Sequence, residues 1–166
     1  MNKKITNLTN KISVELLKEQ SKYNEITIPN FYYNKGKKNY KEYYECDLFK
    51  ISKSGYTIEF EIKISLEDYK HDFTKSKKGV TKHELIATGK RTNKFFYVIP
   101  ENIIPLDLIP NYCGVIVYNE KQNKFITVRN AKLLYNDKIE ILKYKEICEK
   151  MSYREFNLRT KLANYK

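Results

Sequence analysis

Between Tyr56 and Ser65 the chain reads YTIEFEIKIS, and apolar and polar residues alternate without a break. Tyr56, Ile58, Phe60, Ile62 and Ile64 form the apolar series; Thr57, Glu59, Glu61, Lys63 and Ser65 form the polar one. A period of two predicts a β-strand with one face on a core. The segment before it, YYECDLFKI over 43–51, also has strand character. SKSG over 52–55 is turn chemistry, with a glycine able to take positive φ. Together they predict a β-hairpin over 43–64.

Elsewhere the period changes. Ile5, Leu8, Ile12 and Leu16 follow helical spacing and predict a first helix over 5–20, with Glu15 on the flank of the stripe and Glu19 within it. Acids there are unusual for a plain amphipathic helix. Residues 29–44, PNFYYNKGKKNYKEYY, read as a loop with four lysines, with strand flanking it as an open alternative. A helix is expected over 65–76, with Leu66, Tyr69 and Phe73 as its buried stripe. Ser65 caps it, with Asp68 three residues on. KFFYVIP (94–100), PNYCGVIVYN (110–119) and KFITVRN (124–130) predict three more strands, and the chain from about 137 reads as helix. Helix, hairpin, helix, three strands and helix make an α/β domain with one central mixed sheet.

Composition narrows this picture. The 166 residues fit one domain able to bury a core without staples, and the chain shows no repeat, linker or low-complexity segment. Three scattered cysteines, Cys46, Cys113 and Cys148, form neither a disulfide framework nor a zinc pattern. They read as core residues of a protein in a reducing, cytoplasmic compartment. A polar N-terminus without a signal peptide, and no long apolar run, predict no membrane partner. The net charge of +12 favours a polyanion such as nucleic acid. Genome-driven lysine enrichment accounts for the same number, so position matters more than the sum. Over 70–94 the basic residues include Lys75, Lys77, Lys78, Lys82 and Arg91, opposed only by Asp72 and Glu84.

Pairing the hairpin by its apolar residues sets Leu48 opposite Phe60 and Cys46 opposite Ile62. Asp47 then faces Glu61, Glu45 faces Lys63, and a three-residue turn runs from Lys53 to Gly55. Opposed side chains stand about 4.5–5.5 Å apart at Cβ, where like charges repel. Water, a proton or a cation can relieve this. Magnesium suits the last case, since it takes a few carboxylates and bridges to phosphate. The other reading is a wet, mixed-charge sheet face with Glu45 paired to Lys63.

Asp47, the turn, then Glu61-Ile62-Lys63 and Ser65, within ECDLFKISKSGYTIEFEIKISLEDYKHDF (45–73) and with FFYVIP…IPNYCGVIVYN (95–119) after it, resembles the PD-(D/E)XK nuclease superfamily. The likeness is to its small phage and bacterial members. It covers the chain from Glu45 to about Lys132.

The resemblance implies a restriction-endonuclease-like αβββαβ core and a nuclease that hydrolyses DNA phosphodiesters with Mg²⁺, or Mn²⁺ in its place. It implies that Asp47 and Glu61 are metal ligands, that the main-chain carbonyl of Ile62 completes the shell, and that Lys63 positions or activates the attacking water. It further implies a glutamate from the first helix, Glu15 before Glu19. A homodimer is an expectation of the same kind, because many nucleases of this fold cut duplexes as dimers. The basic segment Lys75, Lys77, Lys78, Lys82 and Arg91, with the tail around Arg154, Arg159 and Lys161, would then hold phosphates. The proline that often precedes the first acid is absent; Cys46 stands there. A catalytically inactive nucleic-acid-binding module of the same fold is the alternative.

Overall fold

The structure, a computed structural model, describes residues 3–21, 25–32, 44–74, 76–77, 79–89 and 91–164. Eight strands and four α-helices follow the order α1 (Lys3–Gln20), β1 (Ile26–Tyr32), β2 (Glu45–Ile51), β3 (Thr57–Ile62), α2 (Leu66–Thr74), β4 (Ser76–Lys77), β5 (Val80–Thr81), α3 (Lys82–Ala87), β6 (Lys94–Pro100), β7 (Gly114–Asn119), β8 (Lys124–Arg129) and α4 (Ile141–Ala163). A short 3₁₀ turn at Leu106–Leu108 lies between β6 and β7. Six strands form one open mixed sheet in the order β1-β2-β3-β6-β7-β8, while β4 and β5 form a small separate hairpin. The strands β1, β2 and β3 form an antiparallel meander. β6 joins β3 in parallel after α2 and α3, so the αβββαβ order is present, extended by parallel β7 and antiparallel β8.

The hairpin forms as its pattern predicts. Leu48 pairs with Phe60, and Ser52 and Tyr56 close a turn through Gly55 at φ +86°. The apolar series of β3 packs on α1: Ile12, Leu16, Leu48, Phe60 and Ile62 share one core cluster with Val98 and Ile116. A second cluster joins Tyr69 of α2 and Ile86 of α3 to Phe95, Tyr97 and Val115 of the sheet. A third sets Ile147 of α4 with Ile28, Phe31, Phe49 and Ile51 of β1 and β2. Cys46 belongs to this third cluster, not to that of Leu48, so the expected alternation breaks at the start of β2.

β1 replaces part of the loop expected over 29–44. Pro29 and the positive φ of Asn30 (+48°) hide it in the sequence, yet an edge strand tolerates both. The remainder of that segment before Tyr44 lies outside the described residues. Ser65 does cap α2, its Oγ accepting from Asp68 N at 3.1 Å. α3 was not expected. It has a complete capping box between Thr81 and Glu84.

The larger departure is the polar face of β3. Thr57, Glu59, Glu61 and Lys63 are all buried, so the face is not wet. Each finds a partner in the segment that returns from α2 to β6. Thr57 meets Asn93, with Thr57 N donating to Asn93 Oδ1 at 2.7 Å. Glu59 Oε2 accepts from Arg91 Nε at 2.6 Å. Glu61 Oε2 lies 2.7 Å from Lys82 Nζ, and Lys63 Nζ lies 3.3 Å from Asp72 Oδ1. A strand climbing from 57 to 63 is thus matched by partners descending from 93 to 72.

Candidate active site

At the upper end of this ladder several acids and two lysines converge. Lys63 Nζ donates to Glu61 Oε1 at 3.0 Å, sits 3.3 Å from Asp72 Oδ1 and 3.7 Å from Asp68 Oδ1. Lys82 Nζ lies 2.7 Å from Glu61 Oε2 and 3.8 Å from Asp72 Oδ2. Glu61, Lys63, Asp72 and Lys82 therefore close a ring of alternating charge, with each lysine between the two acids. The contact of Lys82 with Glu61 Oε2 is ionic rather than an aligned hydrogen bond, and that oxygen is buried with no hydrogen-bond donor.

Asp72 is the fixed corner of the ring. Its Oδ2 also accepts from Tyr97 OH at 2.9 Å and lies 3.3 Å from His83 Nε2. His83 Nε2 is 2.6 Å from Tyr97 OH, and His83 Nδ1 is 2.8 Å from Tyr112 OH. One arrangement satisfies all of these contacts: Tyr112 donates to Nδ1, Nε2–H is shared between Tyr97 OH and Asp72 Oδ2, and Tyr97 donates to Asp72. The His83 ring stacks on Phe73 at 3.9 Å between centroids, which holds its plane. Burial would raise the Asp72 carboxyl. The His83 hydrogen bond, the Lys82 and Lys63 charges and the Tyr97 hydroxyl outweigh burial and hold it well below the usual carboxylate range. Burial likewise opposes the Lys63 ammonium, but Glu61, Asp72 and Asp68 outweigh it and raise its value.

Asp47 approaches from β2. Its Oδ2 accepts from Ile62 N at 2.6 Å, in place of a continued ladder between the two strands. Burial, and then the charge of Glu61, push its carboxyl up to about 6, against the Ile62 N–H and the Lys63 and Lys82 charges. The Glu61 charge therefore does act on Asp47, although strand pairing ends at Leu48 and Phe60 and does not carry the expected register as far as these two acids. A cavity of about 330 Å³ lies beside the ring, lined by Glu61, Asp72 and Lys82 together with Tyr32, Tyr44, Glu45 and Ser76, but not by Asp47 or Lys63.

Several expected roles fall elsewhere. Lys63 turns to Glu61 and Asp72, not across the strands to Glu45. Glu15 stands on α1, bonded by Lys18 Nζ at 2.7 Å and by Asn123 Nδ2 at 3.4 Å, and takes no part in the ring; Glu19 is exposed on the same helix. The reason is the sheet: α1 packs against the Leu48, Phe60 and Ile62 series, while Glu61 lies in the opposite series of the strand. Arg91 and Lys82 are not exposed residues of a basic surface. Arg91 is buried on Glu59 and donates to Tyr44 O at 2.8 Å, and Lys82 is inside the ring. Lys77 lies on β4; Lys75 and Lys78 fall outside the described residues. In the tail, Arg154 donates to Pro29 O at 3.0 Å and Arg159 pairs with Glu155. His83 is buried on α3. The readable signal for α3, and so for Lys82 and His83, was Thr81-x-x-Glu84.

Among the described residues no three His, Cys, Asp or Glu side chains come together as a ready metal cage. Magnesium does not require one: it is bound through one or two carboxylates, with waters and substrate phosphates filling the shell. Asp47 and Glu61 meet that smaller demand. The raised Asp47 carboxyl and Glu61, whose Oε2 faces the Lys82 ammonium at 2.7 Å, are the carboxylates such an ion would use.

No family model and no curated protein matches the chain. Among solved structures, a protein of unknown function from Silicibacter pomeroyi is similar, with a TM-score of 0.56 and 15% identity over 84% of this chain and 80% of that one. At that identity the likeness concerns the fold, a mixed sheet flanked by helices.

Proposed function

We propose that the protein is a divalent-metal-dependent nuclease that hydrolyses DNA phosphodiester bonds, as the PD-(D/E)XK resemblance implies. The observation that carries this reading is the convergence of Asp47, Glu61 and Lys63 at one end of β2 and β3, in an αβββαβ order. Asp47 and Glu61 are the residues that would hold Mg²⁺. The ion would polarise the phosphate and stabilise charge on the leaving oxygen. Lys63, kept protonated by three acids, supplies a fixed positive charge and N–H donors for the attacking water and the phosphate oxygens. The net charge of +12 supports a polyanionic substrate. No helix among the described residues is long and apolar enough to cross a membrane.

One observation favours a second reading, a binding module without chemistry: both Glu61 oxygens already face lysines. The discriminating experiment is cleavage of plasmid and single-stranded DNA by wild type and Lys63→Ala with Mg²⁺, Mn²⁺ or EDTA. Cutting that needs metal and disappears in the variant is expected. Salt-sensitive binding without cutting by folded wild type would favour the module.

A further inference from the structure

We propose that Lys82 is an internal counter-cation of the site: it holds the metal-facing oxygen of Glu61 until a divalent ion takes its place, and then turns to the substrate phosphate. This rests on the nuclease reading of the same site.

Nothing in the Asp47…Glu61-x-Lys63 pattern calls for a second lysine, yet Lys82 is among the largest fully buried side chains of the protein. Burying an ammonium is costly unless it is paired. Lys82 comes from α3, and its head passes over the Phe95 ring at 5.6 Å to reach Glu61 and Asp72. The two acids hold it unequally. Asp72 is anchored by Tyr97 and His83 and is held ionised, so it is a permanent partner. Glu61 offers Lys82 a short but unaligned contact through an oxygen with no hydrogen-bond donor, on the wall of the cavity. A cation at Asp47 and Glu61 competes with Lys82 for that oxygen. Lys82 then keeps Asp72 as its partner and faces the same cavity. A phosphate entering there meets the ammonium of Lys82, with that of Lys63 buried behind Glu61 and Asp72. Asp72 is the positioning residue for both, and His83 and Tyr97 act through Asp72. The proton inventory is unchanged throughout, since the step exchanges one cation for another at a carboxylate.

The test is Mn²⁺ binding measured by calorimetry for the full chain and for Lys82→Gln and Lys82→Arg, beside binding of a short oligonucleotide in Ca²⁺. Removing a unit charge a few ångströms from Glu61 should tighten Mn²⁺ by at least about tenfold in Lys82→Gln. The same variant should bind the oligonucleotide more weakly, and Lys82→Arg should resemble wild type in both. A merely structural lysine would weaken both or change neither, and either result overturns the proposal. A second measurement needs no variant: acetylation of Lys82 in wild type, mapped by mass spectrometry, should quicken when Mg²⁺ is added, and an unchanged rate counts against release. The two ideas fail separately. Mn²⁺ binding by Lys82→Gln but not by wild type, with no cutting by either, would keep the counter-cation and remove the nuclease. Metal-dependent cutting with Mn²⁺ affinity indifferent to Lys82 would do the reverse. Mn²⁺ binding by neither protein overturns both.

Discussion

The carboxylate of Asp47 accepts a hydrogen bond from the main-chain N–H of Ile62 at 2.6 Å, so a side chain substitutes for strand pairing where β2 and β3 part. The same carboxyl is raised from 3.8 to about 6 by burial and by Glu61. A raised acid binds its proton more tightly in the folded state. Its stabilising contribution is complete below the unfolded value and is lost as pH rises through about 6. Urea titrations of wild type should therefore show a fall of roughly 2–3 kcal/mol across that window relative to Asp47→Asn, whose amide oxygen can still accept from Ile62. Mg²⁺ should restore part of the loss at neutral pH, and metal binding should weaken below about 6 as Asp47 takes up its proton. A pH-independent difference between the two proteins would contradict this.

Glu59 and Arg91 form the buried rung below the site, both within 3% of full burial. Removing one partner leaves an uncompensated buried charge. Arg91→Ala should cost about 3–5 kcal/mol in chemical denaturation. Glu59→Ala should cost a similar amount, and Glu59→Leu combined with Arg91→Met should recover most of it. DNA affinity of the folded double variant should match wild type, because Arg91 has no access to phosphate. A tenfold loss of affinity there would return Arg91 to the binding surface.

Asn93 is fully buried, and its side chain makes four hydrogen bonds. Its Oδ1 accepts from Thr57 N and Thr57 Oγ1, and its Nδ2 donates to Tyr135 O and Asp137 O. One side chain thus ties β3 to the irregular segment that leads to α4. Asn93→Leu, close in volume, should lower stability by roughly 3 kcal/mol or more, because it orphans buried backbone groups on two segments. Hydrogen exchange should speed up at Thr57 before it does at Phe60. Equal protection of both in the variant would argue against a local pin.

Gly114 opens β7 beneath Phe96. A Cβ there would overlap two Phe96 ring carbons and stand 2.7 Å from Ala131 N. Gly114→Ala should destabilise by about 1–3 kcal/mol through overpacking, and Phe96→Leu in the same chain should return part of that. Thermal melts of the three proteins check the order.

Much of the architecture was legible in residue patterns. The strict alternation of 56–65, the Ser52–Gly55 turn and the Leu48–Phe60 register are local consequences of pleat and turn geometry, and they appear as expected. The strands at 94–100 and 124–129, and the first and last helices, follow from periodicity alone. β1 escaped because Pro29 and Asn30 read as loop residues, which an edge strand can carry without losing the ladder. α3 escaped because six residues are too few for a hydrophobic period to declare itself.

The sequence by itself determined which residues of β3 share a face, that Asp47 and Glu61 are neighbours, and that Lys63 stands beside them. Those relations span a single hairpin, and pleat and turn suffice to set them. Only the tertiary structure decided what meets that face. Helical and strand periods say nothing about which segment returns over a sheet, so Lys82 and Arg91 read as phosphate-holding residues of a basic stretch. In the fold they are the buried partners of Glu61 and Glu59, and Asn93 is the buried partner of Thr57. Tertiary structure also set Glu15 apart from Glu61, because the face on which a helix packs is chosen by the whole core and not by the helix's own residues.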